Sequence, residues 1–153
     1  MVVYLGANAY LFWRLLALIS SMSITLKIVV GVVFWSAALM LFVSMLLRNV
    51  GIPAMLARAM FNIGSVWLVF LLYATLLTAL FDLAHLILPA LRHGTLIALG
   101  LTLVIMVAGY VNYRNPRIEE ITIESPKLSH DVRLAVVSDV HLGYGTHRNK
   151  LER

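Results

Sequence analysis

Ile28-Val-Val-Gly-Val-Val-Phe-Trp-Ser-Ala-Ala-Leu-Met-Leu-Phe-Val-Ser-Met-Leu-Leu47 is a run of twenty residues without a charge, bracketed by Lys27 and Arg48. As a helix it extends about 30 Å, the thickness of a bilayer's hydrocarbon core. Many of its residues are β-branched. In lipid, however, every backbone N–H and C=O must be satisfied within the protein, so only a helix or a closed barrel can cross. Barrel strands alternate apolar and polar residues, and this run does not. It reads as a transmembrane helix.

The composition of the 153-residue chain agrees: 61% of its residues are hydrophobic, 12% are charged, and the mean hydropathy is +0.93. A soluble globular domain carries about 25% charged residues. Residues 1–113 hold five basic residues (Arg14, Lys27, Arg48, Arg58 and Arg92) and one acid, Asp82. Residues 114–153 hold seven basic and six acidic residues, so a mixed polar segment follows a membrane-like one. The net charge of +5 therefore comes largely from bases that flank apolar runs, which carries topology information. Neither a clustered basic face nor a recognisable nucleic-acid-binding module is visible. The absence of cysteine rules out disulfides and thiolate metal sites.

Three further apolar runs surround the first. Val2 to Ile19 precedes it. Met1 to Trp13 alone spans only about 20 Å as a helix, so crossing requires continuation through Arg14 to Ile19. Arg14 must then snorkel or face other helices. Tyr10, Phe12 and Trp13 suit an interfacial position, and an interfacial helix or a span whose start has been lost are the other readings of this run. It lacks the basic n-region and cleavage site of a signal peptide and is expected to be retained. Ala59 to Phe81 is long enough to cross with tilt, and its Gly64, Ser65, Ala74 and Thr78 are small enough for close helix contact. Thr95 to Tyr113 is the last run, ending in Tyr110, Tyr113, Arg114 and Arg117 as an interface does.

Asp82 to Gly94 reads as an irregular connector in which Pro89 and Gly94 break or kink the helix. Asp82 and His85 are one turn apart, a spacing compatible with a metal or a proton relay. No third ligand is suitably spaced, so a cap, a local hydrogen bond or interfacial exposure is the expectation. Four spans put Arg48, Arg58, Arg114 and Arg117 on one side and Arg14, Lys27 and Arg92 on the other. The positive-inside rule then predicts a multi-pass protein of the cell membrane with both termini cytoplasmic.

After Tyr113 the pattern changes at Asn115-Pro116. Arg117 to Glu124 alternates, with Ile118, Ile121 and Ile123 among charges, and reads as a strand. Arg133 to Val137 reads as a second strand, and Asp139 and His141 follow it as a carboxylate and an imidazole two residues apart. These are ligand types that a hard-to-borderline divalent metal takes. Two strands alone are marginal in water.

Val136-Val-Ser-Asp-Val-His-Leu-Gly143 resembles the first motif of the calcineurin-like metallophosphoesterases, D-x-H at the end of the first core strand. The whole layout resembles the membrane-anchored branch of that family, transmembrane proteins with a C-terminal catalytic domain. The resemblance implies that Asp139 and His141 are metal ligands, that the parent protein holds a pair of divalent cations, and that its substrate is a phosphoester. Two metals can activate a water and clamp the oxygens of a displacement on phosphorus. The family's later motifs, G-D-x-x-D, Asn-His and G-H-x-H, are not found in the twelve residues after His141. His147 matches no motif position and reads as exposed.

The expectation is therefore an all-α polytopic membrane region of three to four transmembrane helices at residues 1–113, with approximate spans 2–19, 28–47, 59–81 and 95–113. Residues 114–153 are expected to form a short two-stranded β segment that begins an α/β metallophosphoesterase domain. The chain would be the N-terminal, membrane-anchoring portion of a metal-dependent phosphoesterase. With an incomplete site it would bind no catalytic metal and be inactive alone. The alternative is a small polytopic membrane protein with a structural, lipid- or partner-binding role. A transporter subunit is disfavoured, because neither Arg14 nor Asp82 sits mid-span in a pathway-like pattern. The lipid bilayer is the partner common to these readings.

Overall fold

The structure, a computed structural model, describes residues 1–47, 50–89, 91, 93–115 and 121–122. Among them the fold is all-helical: α1 (Val2–Leu18), α2 (Ile24–Leu46), α3 (Ala54–Ile87) and α4 (Gly94–Arg114). Three helices, α2, α3 and α4, are long and apolar enough to cross a membrane. At 17 residues α1 reaches about 25 Å, short of the hydrocarbon core. The strands expected at 117–124 and 133–137 lie outside the described residues, apart from Ile121 and Thr122.

The boundaries of α2 and α3 have local causes. The Ser23 hydroxyl accepts from the Leu26 amide at 3.4 Å and caps α2. Lys27 is accommodated in the first turn because its ammonium reaches back to the Ser20 carbonyl at 2.6 Å. Gly51, at φ 73°, supplies the left-handed residue of the α2–α3 turn, and Pro53 is the N-cap of α3. α3 ends where Leu88 precedes Pro89: the ring disfavours helical geometry in the residue before it, and Leu88 sits at φ −122°, ψ 85°.

The helices pack as an antiparallel bundle around α3, which lies most extensively against α2 and α4. Its buried residues, Ala57, Met60, Gly64, Leu71, Ala74 and Thr78, recur at spacings of three, four and, once, seven residues and form a seam. Gly64 allows the closest approach: a Cβ there would stand 2.4 Å from the Leu41 amide nitrogen. Gly94 similarly lets the start of α4 lie against Phe81. The expected role of Gly64, Ala74 and Thr78 in close contact holds. Aromatic rings fill the space between α1, α2 and α3, with Phe34 and Trp67 edge to face at 4.7 Å between centroids. Phe12 belongs to this cluster, against Phe34 and Trp35, rather than to an interface.

No more than 22% of the most apolar window of any spanning helix is buried inside the protein. Val32, Val33, Leu72, Leu76, Leu103 and Val104 are all exposed. In water so extensive an apolar surface would drive association, whereas in a bilayer it is the surface that meets lipid.

One expectation is corrected. Asp82 does not open an irregular connector, because α3 continues through it for five further residues to Ile87. The helix absorbs the charge because the carboxylate is satisfied from α1.

Candidate functional site

Three polar contacts tie α1 to the bundle. Near its start, the Tyr4 hydroxyl donates to the Ala38 carbonyl of α2 at 2.6 Å. One turn on, Asn8 is fully buried. Its amide donates to the Tyr4 carbonyl at 2.8 Å, and its oxygen accepts from the Trp67 indole at 3.0 Å. At the other end, Arg14 and Tyr10 both donate to Asp82 of α3. A buried amide or charge in lipid has no water to fall back on, so each such group must be matched inside the protein.

The Asp82 cluster is the one ion pair among the described residues. Tyr10 reaches one carboxylate oxygen at 2.5 Å, and the Arg14 guanidinium takes the other. The two charged side chains are 27% and 30% exposed, so the pair sits at the edge of the bundle rather than in its centre. The Arg14 guanidinium also lies 5.7 Å from the ring of Trp13. Its Nε is buried without a hydrogen-bond partner, and the guanidinium meets Asp82 through Nη2. Of the two expected courses for Arg14, snorkelling or facing another helix, the second is taken.

Asp82 and His85 are not brought together. Asp82 turns to α1, and His85 is exposed in the last turn of α3. Among the described residues no group of three or more His, Asp or Glu side chains could hold a metal ion. The sequence-predicted ligands Asp139 and His141, and His147 beside them, lie outside the described residues.

A crevice of about 330 Å³ lies between the four helices, bounded by Leu11, Val33, Phe34, Trp67 and Leu99 among others. No titratable side chain lines it. It offers space for a hydrocarbon chain and no group for acid–base chemistry. Among the described residues the helical region carries one charged clamp between its helices.

Tyr4, Asn8 and Trp67 were not singled out in the sequence. A lone Asn in an otherwise apolar run is the signal that could have found this contact, since such an amide needs an internal partner.

No family model matches the chain, and comparison with curated proteins and with solved structures gives no match either.

Proposed function

We propose that residues 1–113 anchor a metal-dependent phosphoesterase in the membrane and that its catalytic domain begins at residue 114. The observation that carries this reading is Val136-Val-Ser-Asp-Val-His-Leu-Gly143, which resembles the first metallophosphoesterase motif and follows the last spanning helix by only 21 residues, 115 to 135. Asp139 and His141 are its first two metal ligands, and a carboxylate with an imidazole suits a divalent cation. A bound cation pair would supply an activated water and a clamp on the phosphoryl oxygens. In this reading the other ligands belong to a longer protein of which these residues are the N-terminal portion. The 153-residue chain alone turns over no phosphoester, because two ligands cannot hold two metals.

The coding sequence after the Arg153 codon tests this directly. An in-frame continuation with G-D-x-x-D, Asn-His and G-H-x-H motifs is the expected result, and a stop codon overturns the reading. It would favour a second one, a small polytopic membrane protein with a structural or partner-binding role. That alternative draws support from the three contacts of α1, which tie it to α2 and α3.

The same proposal places both termini in the cytoplasm. Four crossings, with α1 as the first, would assign Arg48, Arg58, Arg114 and Arg117 to one side of the membrane and Lys27 and Arg92 to the other. Arg14, which would narrow the difference, lies within α1 and is neutralised by Asp82.

A further inference from the structure

The lipid-facing side of α1 and α2 carries an open groove of about 540 Å³. Phe12 and Leu16 of α1 line it opposite Ile28, Val32 and Trp35 of α2. Gly31 lies beneath the Phe12 ring, where a Cβ would be 3.3 Å from Phe12 Cζ. Ile28 and Val32 are exposed, so the groove opens sideways into the hydrocarbon.

Lys27 lines the same groove, at one end. It stands in the first turn of α2, whose free amides already make that helix end positive. The Leu26 amide is capped by Ser23 and the first backbone bond runs from the Lys27 amide to the Ser23 carbonyl, leaving the Ile24 and Thr25 amides ahead of the helical ladder. No acidic residue occupies this first turn. Among the described residues the one carboxylate side chain is Asp82, and Arg14 and Tyr10 hold it. The Lys27 ammonium gives one hydrogen to the Ser20 carbonyl and has two left. Ser20, Ser21 and Ser23 of the α1–α2 turn that precedes it are all exposed. Among the described residues nothing compensates this cation at the positive end of a helix, and an anion would relieve it.

The geometry points to a site for one anionic phospholipid, its phosphate held by Lys27 and the start of α2 and one acyl chain laid in the groove from Lys27 to Trp35. Those eight residues rise about 12 Å, a length an acyl chain can follow. The charge sits where a headgroup sits and the apolar channel runs inward from it. The site lies at the end of the bundle opposite Arg114. It does not depend on the phosphoesterase reading.

The full chain, purified in mild detergent and offered equal amounts of phosphatidylglycerol and phosphatidylcholine with identical acyl chains, tests the site by native mass spectrometry. The expected result is one retained lipid per chain, with phosphatidylglycerol favoured roughly five- to tenfold. Lys27→Gln should abolish the preference while retaining weak binding of both lipids, and Gly31→Leu, which fills the groove, should lose both. Inorganic phosphate at the same concentration should not compete. Equal retention of the two lipids overturns the proposal, as does an unchanged preference in Lys27→Gln or displacement by phosphate alone. A second readout needs no variant. In phosphatidylcholine vesicles containing one-tenth brominated lipid, tryptophan fluorescence should be quenched more by brominated phosphatidylglycerol than by brominated phosphatidylcholine, and equal quenching counts against the site.

Discussion

Arg14 and Asp82, 68 residues apart in the chain, meet as an ion pair between α1 and α3. Tyr10 completes the cluster from the same side. The pair explains two departures from simple hydropathy at once: a short helix that carries an arginine stays with the bundle, and a long helix runs through an aspartate without ending.

Removing one partner should cost more than removing both. Asp82→Asn leaves the guanidinium without its counter-charge, and partial exposure reduces the penalty to about 1–3 kcal/mol. Arg14→Met combined with Asp82→Leu should recover most of that loss. Unfolding of the purified chain in mixed micelles, followed by far-UV circular dichroism, measures the cycle. Additive losses from the two sites would refute the coupling.

Asn8→Leu should strand the Trp67 indole N–H in an apolar site. The expected destabilisation is about 0.5–2 kcal/mol, the range of interhelical hydrogen bonds in membranes. In a Trp67→Phe background the same change should cost little. Comparison of the two unfolding curves separates the hydrogen bond from the change in side-chain volume.

Two glycines should respond oppositely to alanine. Gly64→Ala drives a methyl group into the Leu41 backbone, so α2 and α3 must separate and thermal stability should fall clearly. At Gly100 a Cβ meets nothing within 4 Å, and alanine there should be neutral or stabilise by up to about 1 kcal/mol through its better helix propensity. Thermal melts of the two variants in one detergent decide it. Equal behaviour would mean that the close approach at Gly64 is not maintained.

Because the chain has no cysteine, topology can be read with single introduced thiols. Ser21→Cys in the α1–α2 turn should label with a membrane-impermeant maleimide on intact cells. Val50→Cys in the α2–α3 turn should label only after permeabilisation. A reporter fused at Arg153 should be active inside the cell, and its accessibility from outside would reverse the assigned orientation.

If the longer protein carries the remaining ligands, it should hydrolyse bis(p-nitrophenyl) phosphate with manganese and lose activity on chelation. Asp139→Asn should lower that activity by roughly 100-fold or more. The 153-residue chain assayed alone should show no metal-dependent turnover.

Most of the helical layout was legible in the sequence, because in lipid a charge-free run of sufficient length has few other solutions. The second run, expected at 28–47, forms Ile24–Leu46, and the fourth, expected at 95–113, forms Gly94–Arg114. The added turn of α2 was hidden because Lys27 looks like a boundary, and only its reach to Ser20 shows why the helix contains it. Asp82 misled for the same reason. Hydropathy registers a charge as the end of a span, whereas its partner lies on another helix and leaves no local trace. The candidate metal ligands differ in kind: Asp139 and His141 lie outside the described residues and rest on the resemblance of a short motif alone.

The lengths of α1 and α3 have a consequence for the membrane itself. α3, with 34 residues, is about 51 Å long, twice the reach of the 17-residue α1 beside it. A bilayer meeting both cannot match each at once. On the α3 side the ends of the helix must stand proud of the hydrocarbon or lean, while on the α1 side the lipid would have to thin wherever α1 crosses it. The bundle therefore presents the bilayer with a tall flank and a low flank, and its elastic cost changes with the thickness of the surrounding membrane.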